Sequence, residues 1–535
     1  MKALSASTIT SAVNFYFSKS TNAKGEAIGN GFFAGCDLGA GAEIVSLKRP
    51  LVGSLDTQHL QDVCANCYVW TEGASSGARL YVSEGTKVQK CAGCQRFRYC
   101  SKICQKEAWN RGHKHECKSL RSLTGRGLPK AVLACMELLT RRKHGLIPDD
   151  EWATLCELQT HIDDFKKNGA YENIELMAMG ASQFSLTQNM FNKDFVAAMY
   201  ARVLTNSMTL ITPTLDPLGL ILDPTLGNIN HSCDPNAFVM MYGSAISLRT
   251  LRPIKKDEEV YISYVDITNP YHQRQQELEA RWFFKCTCTK CQKGATLDED
   301  KWIREPRTMP KKVKDVADAI IKHANLAQDP ANYIGDSLDE QRTSVIQAKA
   351  FAEYEEVQNM QGPQERIEKI EGAMQLCHQS GLWPVYRQPY ASLRDDLIVN
   401  LLGVGKYQLA WAQCAKRYKY ILPKLYPVPF HPIRVVQTWQ MAVLAVYLAG
   451  DPDGAGVPCI NMGLIAMMLV KQVLDASKLS HGANSAFAKS VQRKAEEMMD
   501  ELNRNLDGNP DKEVMDRELE VQRDMLMEMG DWIKV

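Results

Sequence analysis

The sequence has no long uninterrupted run of apolar residues. Near its C-terminal end the longest such run extends from Met462 to Val470, where Lys471 interrupts it, whereas roughly 20 apolar residues are needed to cross a bilayer. The residues after Lys2 are rich in serine and threonine and lack the apolar core of a signal peptide. We therefore expect a soluble, intracellular chain with no membrane-spanning segment.

A large net charge is also missing, because 63 lysines and arginines balance 62 aspartates and glutamates to a net charge of +1. This balance conceals a local excess: from Lys87 to Arg126, eleven basic residues stand against only Glu107 and Glu116. Such an excess can attract acidic protein surfaces or phosphates. It can equally be the solvated surface of a zinc-binding module, and the sequence leaves both interpretations open.

Cysteine, in contrast, is plentiful. Most of the 17 cysteines occur in short spacings that favour metal binding in a reducing compartment. A chain of 535 residues also exceeds a single hydrophobic core, so two to four domains are expected. The cysteines outside the short spacings are expected to be buried small hydrophobic residues: Cys36, Cys135, Cys156, Cys377, Cys414 and Cys459.

Residues 64–117 hold the densest group of candidate metal ligands. Eight ligands in four pairs match two closed tetrahedral zinc sites, and a segment so poor in apolar residues would need the metal to fold. His115 is a spare histidine, since the three-residue spacing to Cys117 favours His113. The stretch 72–77, between the first two pairs, is small and polar and is interpreted as a surface insertion. The pairs are Cys64 and Cys67, Cys91 and Cys94, Cys100 and Cys104, and His113 and Cys117.

A second unusual stretch is the polar loop from Asn228 to Asn236. Its amide, imidazole and thiol groups contribute little to a hydrophobic core, so they require unusual backbone geometry, a ligand or a metal. Further along the chain, Cys286, Cys288 and Cys291 provide three thiolates, and one more would complete a tetrahedral zinc site. Cys233 in the loop is the candidate for the fourth ligand.

These motifs together resemble a known family. The segment Asn230-His231-Ser232-Cys233-Asp234-Pro235-Asn236, then Tyr264 and the Cys-x-Cys-x-x-Cys motif, resembles the SET-domain lysine methyltransferases. The paired ligands of 64–117 resemble a MYND zinc finger. A MYND finger placed between an N-terminal SET piece and the SET core is the layout of the SET-and-MYND lysine methyltransferase family, and the resemblance runs in register from residue 29 to residue 291.

The resemblance implies an α+β multidomain fold: a split β-rich SET domain with an inserted MYND zinc finger, followed by an all-α tetratricopeptide-like C-terminal domain. Helical periodicity does recur from about residue 300 onward, although an unrelated helical bundle would show it too. Helices are expected near 312–326, 340–359, 364–379, 385–403, 406–424, 432–449, 460–476, 484–504 and 511–533. The expected parts are the N-terminal SET piece (1–60), the MYND finger (61–120), a helical SET insertion (121–204), the SET core (205–270), a post-SET zinc segment (271–295) and the helical C-terminal domain (300–535).

The resemblance further implies roles for individual residues. Tyr264 would be the catalytic residue and would line a lysine channel with Trp282 and Phe284. The first and third pairs of the finger would share one zinc ion and the second and fourth pairs another, and Cys233, Cys286, Cys288 and Cys291 would bind a third. Contacts to S-adenosylmethionine (S-adenosyl-L-methionine) are implied for Gly29, Asn30, Gly31, Asn206, Asn230, His231, Tyr264 and Phe284. A glycine loop alone is a weak signal that otherwise predicts a hairpin turn.

Two positions depart from the family's pattern. A basic residue often precedes the glycine loop, where this chain has Ile28, and a tyrosine often stands where this chain has Trp282. The first departure removes an expected carboxylate contact. The second removes a phenol hydroxyl but keeps an aromatic face that can hold an ammonium group.

Two functions follow as expectations. The first is an S-adenosylmethionine-dependent protein-lysine N-methyltransferase acting on histone or non-histone proteins. The second is a catalytically silent adaptor whose finger and helical domain bind partner peptides. If the basic finger surface binds a partner, a proline-containing peptide or nucleic acid is expected. We expect a monomer in the cytoplasm and nucleus; Pro310 to Lys314 resembles a weak nuclear-localisation signal, although the start of a solvated helix would look the same.

Overall fold

The computed structural model describes residues 14–21, 27–71, 86–123, 125–296, 340–360, 362–379, 384–450, 460–505, 512–533 and 535. Four expectations fall outside these residues: the insertion at 72–77, the basic run at 310–314, a predicted helix at 312–326 and the burial of Cys459. Within the described ranges, no helix is both long enough and apolar enough to cross a membrane.

The chain divides into two compact units. The first comprises Met1–Val265, Gln275–Gln292 and Asn484–Phe487, and the second comprises Asp266–Arg274, Lys293–Ala483 and Ala488–Val535. Sheets and helices are mixed in the first unit, whereas the described residues of the second unit form only helices. The mixed class and the helical C-terminal part are therefore confirmed.

In the first unit, short strands pair into small sheets. Glycine and proline interrupt the apolar runs, as at Pro217 and at Gly243, which turns the chain with a φ of 64°. The pairings are β1–β2, β3–β11–β10, β4–β8–β7, β5–β6 and β9–β12. The strands are β1 (Phe15–Thr21), β2 (Ala27–Ala34), β3 (Glu43–Leu47), β4 (Val52–Leu55), β5 (Gln89–Lys90), β6 (Arg98–Tyr99), β7 (Met208–Ile211), β8 (Pro217–Leu222), β9 (Asn230–His231), β10 (Ala237–Tyr242), β11 (Ala245–Thr250) and β12 (Tyr261–Ile262).

The strands β9 and β12 are the one parallel pair among the described strands. Asn230 stands opposite Tyr261, and His231 stands opposite Ile262. Parallel strands need a crossover connection, which the hairpin of β10 and β11 provides here. The preceding residue, Ile229, is fully buried in the apolar core of this unit. The polar loop is therefore held in place by the burial of Ile229 and by the pairing of β9 with β12.

Helices occupy the segment between β6 and β7 and the end of the first unit. The apolar face of α3, including Leu133, Met136 and Leu139, is buried against α6, α7 and β4. These helices are α1 (Lys102–Ala108), α2 (Lys114–Ser122), α3 (Lys130–Lys143), α4 (Asp149–Glu157), α5 (Ile162–Lys167), α6 (Tyr171–Ser185), α7 (Lys193–Asn206), α8 (Tyr271–Trp282) and α9 (Thr289–Gln292).

The second unit follows the predicted helical periodicity with two differences. The helix expected from residue 385 begins only at Tyr390, because proline at positions 384 and 389 cannot lie in a helix interior. The helix expected over 406–424 widens into a π-helical turn at Arg417–Ile421. The helices are α10 (Glu340–Asn359), α11 (Pro363–Gln379), α12 (Tyr390–Gly403), α13 (Tyr407–Lys416), α14 (Leu422–Leu425), α15 (Pro432–Ala449), α16 (Met462–Ser477), α17 (Ala486–Asn505) and α18 (Lys512–Met529).

The expected burial of the remaining cysteines is only partly right. Cys135, Cys377 and Cys414 are buried, as small hydrophobic residues usually are. Cys36 is exposed and Cys156 is half-buried, so the expectation was wrong for Cys36. The reason is local: Cys36 lies in the bend that follows β2, where its side chain does not face the sheet's core.

Candidate active site and metal centres

Tyr264 lies directly against the polar loop. Its backbone N–H donates to His231 Nδ1 at 3.0 Å, and its hydroxyl donates to the backbone oxygen of Ile229 at 2.6 Å. The rings of Tyr264 and His231 are 5.2 Å apart. The parallel pairing of β9 with β12 therefore holds both ends of Tyr264 against the loop.

Asn230 connects the polar loop to the glycine loop. Its Nδ2 donates to the backbone oxygen of Asn30 at 3.0 Å and to Glu259 Oε1 at 2.7 Å. The side-chain oxygen of Asn30 in turn accepts from Lys19 Nζ at 2.9 Å. We call Gly29 to Gly31 together with Asn230 and Glu259 the amide nook.

Glycine is required on one wall of this nook. A Cβ at Gly31 would lie 2.5 Å from Glu259 Oε1 and 2.9 Å from the ring of Phe33. Gly29 has a φ of 128°, in the region that favours glycine. The glycines thus let backbone approach side chains closely, which also suits a ligand-binding loop.

Asn206 reaches the same region indirectly. It ends α7, and its Nδ2 donates to the backbone oxygen of Gln159 at 2.9 Å and to that of Arg202 at 3.0 Å. The side chain of Gln159 comes close to Gly29, since a Cβ there would lie 3.5 Å from Gln159 Nε2. Sequence reasoning missed Gln159, which lies in no motif, and Glu259, which lies in a charged stretch typical of a solvated loop.

An aromatic cluster adjoins Tyr264. The ring of Trp282 lies 5.2 Å from that of Tyr264, and the ring of Phe284 lies 6.5 Å from it. Trp282 is buried, and its indole N–H donates to the backbone oxygen of Thr205 at 2.9 Å. The guanidinium of Arg281 lies over the indole ring at 4.5 Å. Trp282 therefore has structural partners on its polar edge and on one face.

The phenols of this site are held in their neutral form. Burial raises the pKa of Tyr264 well above its usual range, and the negative charge of Glu259 raises it further. Burial likewise raises the pKa of Tyr261, whose hydroxyl donates to Glu259 Oε2 at 2.7 Å. At neutral pH, Tyr264 can orient a ligand through hydrogen bonds but cannot serve as a strong base.

Four cysteines meet beside the aromatic cluster. The sulfur atoms of Cys233, Cys286, Cys288 and Cys291 lie within 4.8 Å of one another. Zinc–sulfur bonds of about 2.3 Å in a tetrahedron bring sulfur atoms to about 3.8 Å from one another, so this donor set fits one zinc ion. Gln275 of α8 fixes Cys286, because its Oε1 accepts from the Cys286 N–H at 2.9 Å and its Nε2 donates to the Cys286 oxygen at 3.0 Å.

Two further clusters form in residues 64–117. His113 Nδ1 lies 3.2 Å from Glu116 Oε1, an arrangement that orients a ligating histidine, and its Nε2 lies 3.4 Å from Cys91 Sγ. His115 instead stacks on His144 at 3.6 Å and belongs to neither cluster. The clusters are Cys64 with Cys67, Cys100 and Cys104, and Cys91 with Cys94, His113 and Cys117.

Comparison with known proteins agrees with these motifs. A family model for the MYND finger matches residues 64–117. The chain is 32% identical over 282 residues to the SET domain and MYND-type zinc finger protein 6 of Schizosaccharomyces pombe, which is 51% of this chain and 53% of that protein. It is 28% identical over 305 residues to the human histone-lysine N-methyltransferase SMYD3, covering 54% of this chain and 66% of that protein. The human N-lysine methyltransferase SMYD2 is 24% identical over 479 residues, covering 86% and 97%.

The clusters and the matched model define a multidomain protein that carries a MYND zinc finger. The match spans about half the length of the fission-yeast relative and just under two thirds of SMYD3, but nearly all of SMYD2. Over these lengths the chain is similar to SET and MYND domain methyltransferases, the family that its motifs resemble.

Proposed function

We propose that the protein is an S-adenosylmethionine-dependent protein-lysine N-methyltransferase with histone or non-histone protein substrates. The observation that carries the proposal is the position of Tyr264, whose hydroxyl lies beside the polar loop and whose ring adjoins Trp282 and Phe284. Relatives named as lysine methyltransferases support it. In this proposal the first unit contains a split SET domain and the second unit is tetratricopeptide-like.

The residues of the amide nook fit the cofactor's chemistry. Close glycines and side-chain amides suit a small ligand with both donors and acceptors. The residues that would hold S-adenosylmethionine are Gly29, Asn30, Gly31, Asn206, Asn230, His231, Tyr264 and Phe284. When bound, this cofactor supplies an electrophilic methyl group on a sulfonium.

The protein's own contribution is alignment and desolvation. Methyl transfer requires the amine lone pair to lie in line with the breaking bond. A lysine ammonium with a pKa of about 10.4 has no lone pair, and an aromatic environment lowers that pKa by desolvation. Tyr264 keeps its own proton and orients the amine, so the departing proton leaves through water.

We propose structural roles for three zinc ions. Each cluster offers four N or S ligands and so leaves no open coordination position for catalysis. The third ion, on Cys233, Cys286, Cys288 and Cys291, would tie the polar loop to the segment that carries Trp282 and Phe284. The loop and the aromatic cluster would then keep a fixed separation.

The test is a calorimetric titration of the purified chain with S-adenosylmethionine. Binding in the micromolar range is expected for an enzyme of this kind, and no binding at millimolar cofactor would reject the proposal. Incubation with labelled cofactor and a cell lysate should then transfer label to lysines of specific proteins. The same incubation with Tyr264→Phe serves as the negative control and gives little or no label.

The contacts of Trp282 favour a second candidate function, that of a catalytically silent adaptor. The N–H of Trp282 is committed to Thr205, and Arg281 covers one face of its ring, so this side chain cannot replace a phenol. A silent adaptor would use instead the exposed Trp109 and Ile103 and the basic surface of the finger. It would bind a proline-containing peptide, or nucleic acid with a steep loss of affinity in salt. Peptide binding that Trp109→Ala abolishes, in a chain that binds no cofactor, would favour this function.

We extend the proposal to the oligomeric state and the cellular location of the protein. A monomer would suffice, because all the proposed site residues lie in one unit of one chain. Histone substrates would place the protein in the nucleus and non-histone substrates in the cytoplasm as well. Fractionation of cells with an antibody to the chain would test both locations.

A further inference from the structure

A chain of hydrogen bonds crosses the amide nook and carries opposite charges at its two ends. Lys19 Nζ donates to Asn30 Oδ1, and Asn230 Nδ2 donates both to the backbone oxygen of Asn30 and to Glu259 Oε1. Lys19 of β1 stands opposite Asn30 of β2 in the strand register. Because that pairing is fixed by backbone hydrogen bonds, the ammonium of Lys19 is kept beside the glycine loop.

The partners of Asn230 dictate how its amide is turned. A backbone carbonyl and a carboxylate oxygen can only accept, so Nδ2 must face Asn30 and Glu259. The amide oxygen Oδ1 then points the other way, and no donor from the described residues reaches it. Asn230 thus presents an open acceptor, which suits a ligand group that can only donate, such as an ammonium.

Glu259 is itself firmly held. Ser20 Oγ and Tyr261 OH each donate to its Oε2 at 2.7 Å, and the residue is only 9% exposed. Three donors from three different segments of the chain therefore converge on this one carboxylate. Its neighbour Glu258 is turned away from the nook and pairs with Arg252 at 3.0 Å.

We propose that Lys19 and Glu259 make the amide nook selective for a zwitterionic α-amino-acid group. This inference rests on the proposed function and deepens it, since S-adenosylmethionine ends in such a group. Lys19 is the cation for the carboxylate end. Glu259 is a positioning residue for the ammonium end: it acts through Asn230, whose open acceptor it orients, and it adds a negative charge nearby.

The test compares two ligands that share an adenosine and a thioether but differ in the amino-acid group. S-Adenosylhomocysteine carries this group, and 5′-methylthioadenosine lacks it. For Glu259→Gln, calorimetry should show at least about a tenfold loss of affinity for the first ligand, as expected when a charged hydrogen-bond partner is neutralised. The affinity for 5′-methylthioadenosine should change by less than about twofold.

Lys19→Gln should give a smaller loss of the same kind, about threefold to tenfold, because Lys19 is exposed and water screens its charge. The loss should shrink as salt is added. Matched controls are Glu258→Gln and Lys256→Gln, which make the same charge changes on neighbouring side chains outside the nook. Both controls should bind the two ligands as the unaltered chain does.

The outcomes separate this inference from the proposed function. If the unaltered chain binds neither ligand, the proposed function fails. If it binds both with equal affinity, or if Glu259→Gln weakens both equally, the function stands and this inference is overturned. Should Glu259→Gln not fold, Tyr261→Phe removes one donor to the carboxylate and should still weaken S-adenosylhomocysteine selectively; an equal effect on both ligands would overturn the inference as well.

Discussion

At the scale of single residues, the Tyr264 hydroxyl is the group whose loss should be most informative. Tyr264→Phe removes the hydroxyl that donates to Ile229 but keeps the ring against His231. We expect nearly unchanged affinity for S-adenosylmethionine and a loss of turnover of about 100-fold or more, since a group that orients the reacting atoms acts on the rate. Calorimetry and a methyl-transfer assay measure the two quantities. Tyr447→Phe, at an exposed tyrosine of the second unit, is the matched control, and equal turnover in both variants would refute the assigned role.

Trp282 permits a prediction that does not depend on catalysis. Trp282→Phe leaves the backbone oxygen of Thr205 without its 2.9 Å donor and leaves space where the larger ring was. Loss of a buried partner typically costs about 1–3 kcal/mol, and the smaller ring adds to that cost. Urea unfolding should therefore show a lower midpoint for the first unit. Trp109→Phe, at a side chain 43% exposed, should shift it little, and equal shifts would mean that the Thr205 bond contributes nothing.

The sequence could identify candidate site residues only where a motif surrounds them. The candidate ligands Cys233 and His113 follow from spacing, and the structure brings each into a four-residue cluster. Glu259 could not be found, because only the fold decides that it turns inward while Glu258 faces Arg252. Ile28 marked a missing basic residue, but nothing in the sequence indicated that Lys19 of the neighbouring strand stands beside the same loop.

At the scale of elements, helices were the more predictable class. The predicted helix over 432–449 is α15 without any shift of its ends, since proline starts it and its apolar period of 3.6 residues is regular. The pair β9–β12 has two residues in each strand, too few for any period to be recognised. The two strands are separated along the chain by the hairpin of β10 and β11, so their pairing is a property of the folded chain.

The start of α15 gives a prediction about pH. His431 is its N-cap residue, and its Nδ1 accepts from the N–H of Ile433 at 3.3 Å. Burial lowers the pKa of His431 to about 4, below the value of about 6.5 in an unfolded chain. The unfolded state therefore binds a proton first, and this residue's contribution to stability is lost as the pH falls from about 6.5 to about 4.

His431→Asn keeps a good N-cap side chain but removes the titration. Over that pH interval the unaltered second unit should lose about 3 kcal/mol more stability than the variant. Denaturant unfolding followed by the helical circular-dichroism signal measures the difference, and subtraction removes the titration of other groups. Parallel pH profiles for the two chains would show that His431 does not titrate in this interval.

At the scale of the whole molecule, the two units differ in what should stabilise them. All twelve clustered cysteine and histidine side chains lie in the first unit. The described residues of the second unit contain large buried side chains, such as Trp411 and Trp439, and no metal cluster. The helical C-terminal part could be predicted, because ligand spacings end near residue 291 and helical periodicity then takes over. The order of the strands in the first unit could not be derived in the same way, since sheet pairing depends on contacts that are distant along the chain.

Removal of metal should therefore affect the first unit selectively. A segment whose ligands replace an apolar core loses the binding energy of the ion as folding energy, so a strong chelator should lower the thermal transition of the first unit. Most of the helical circular-dichroism signal, which the second unit supplies, should persist.

A colorimetric zinc indicator should measure about three zinc ions released per chain, one for each tetrahedral cluster. Cys288→Ser should reduce the release to about two, whereas Cys377→Ser, at a buried cysteine of the second unit, should leave it unchanged. Release of two ions from the unaltered chain would mean that the cluster beside Tyr264 holds no zinc.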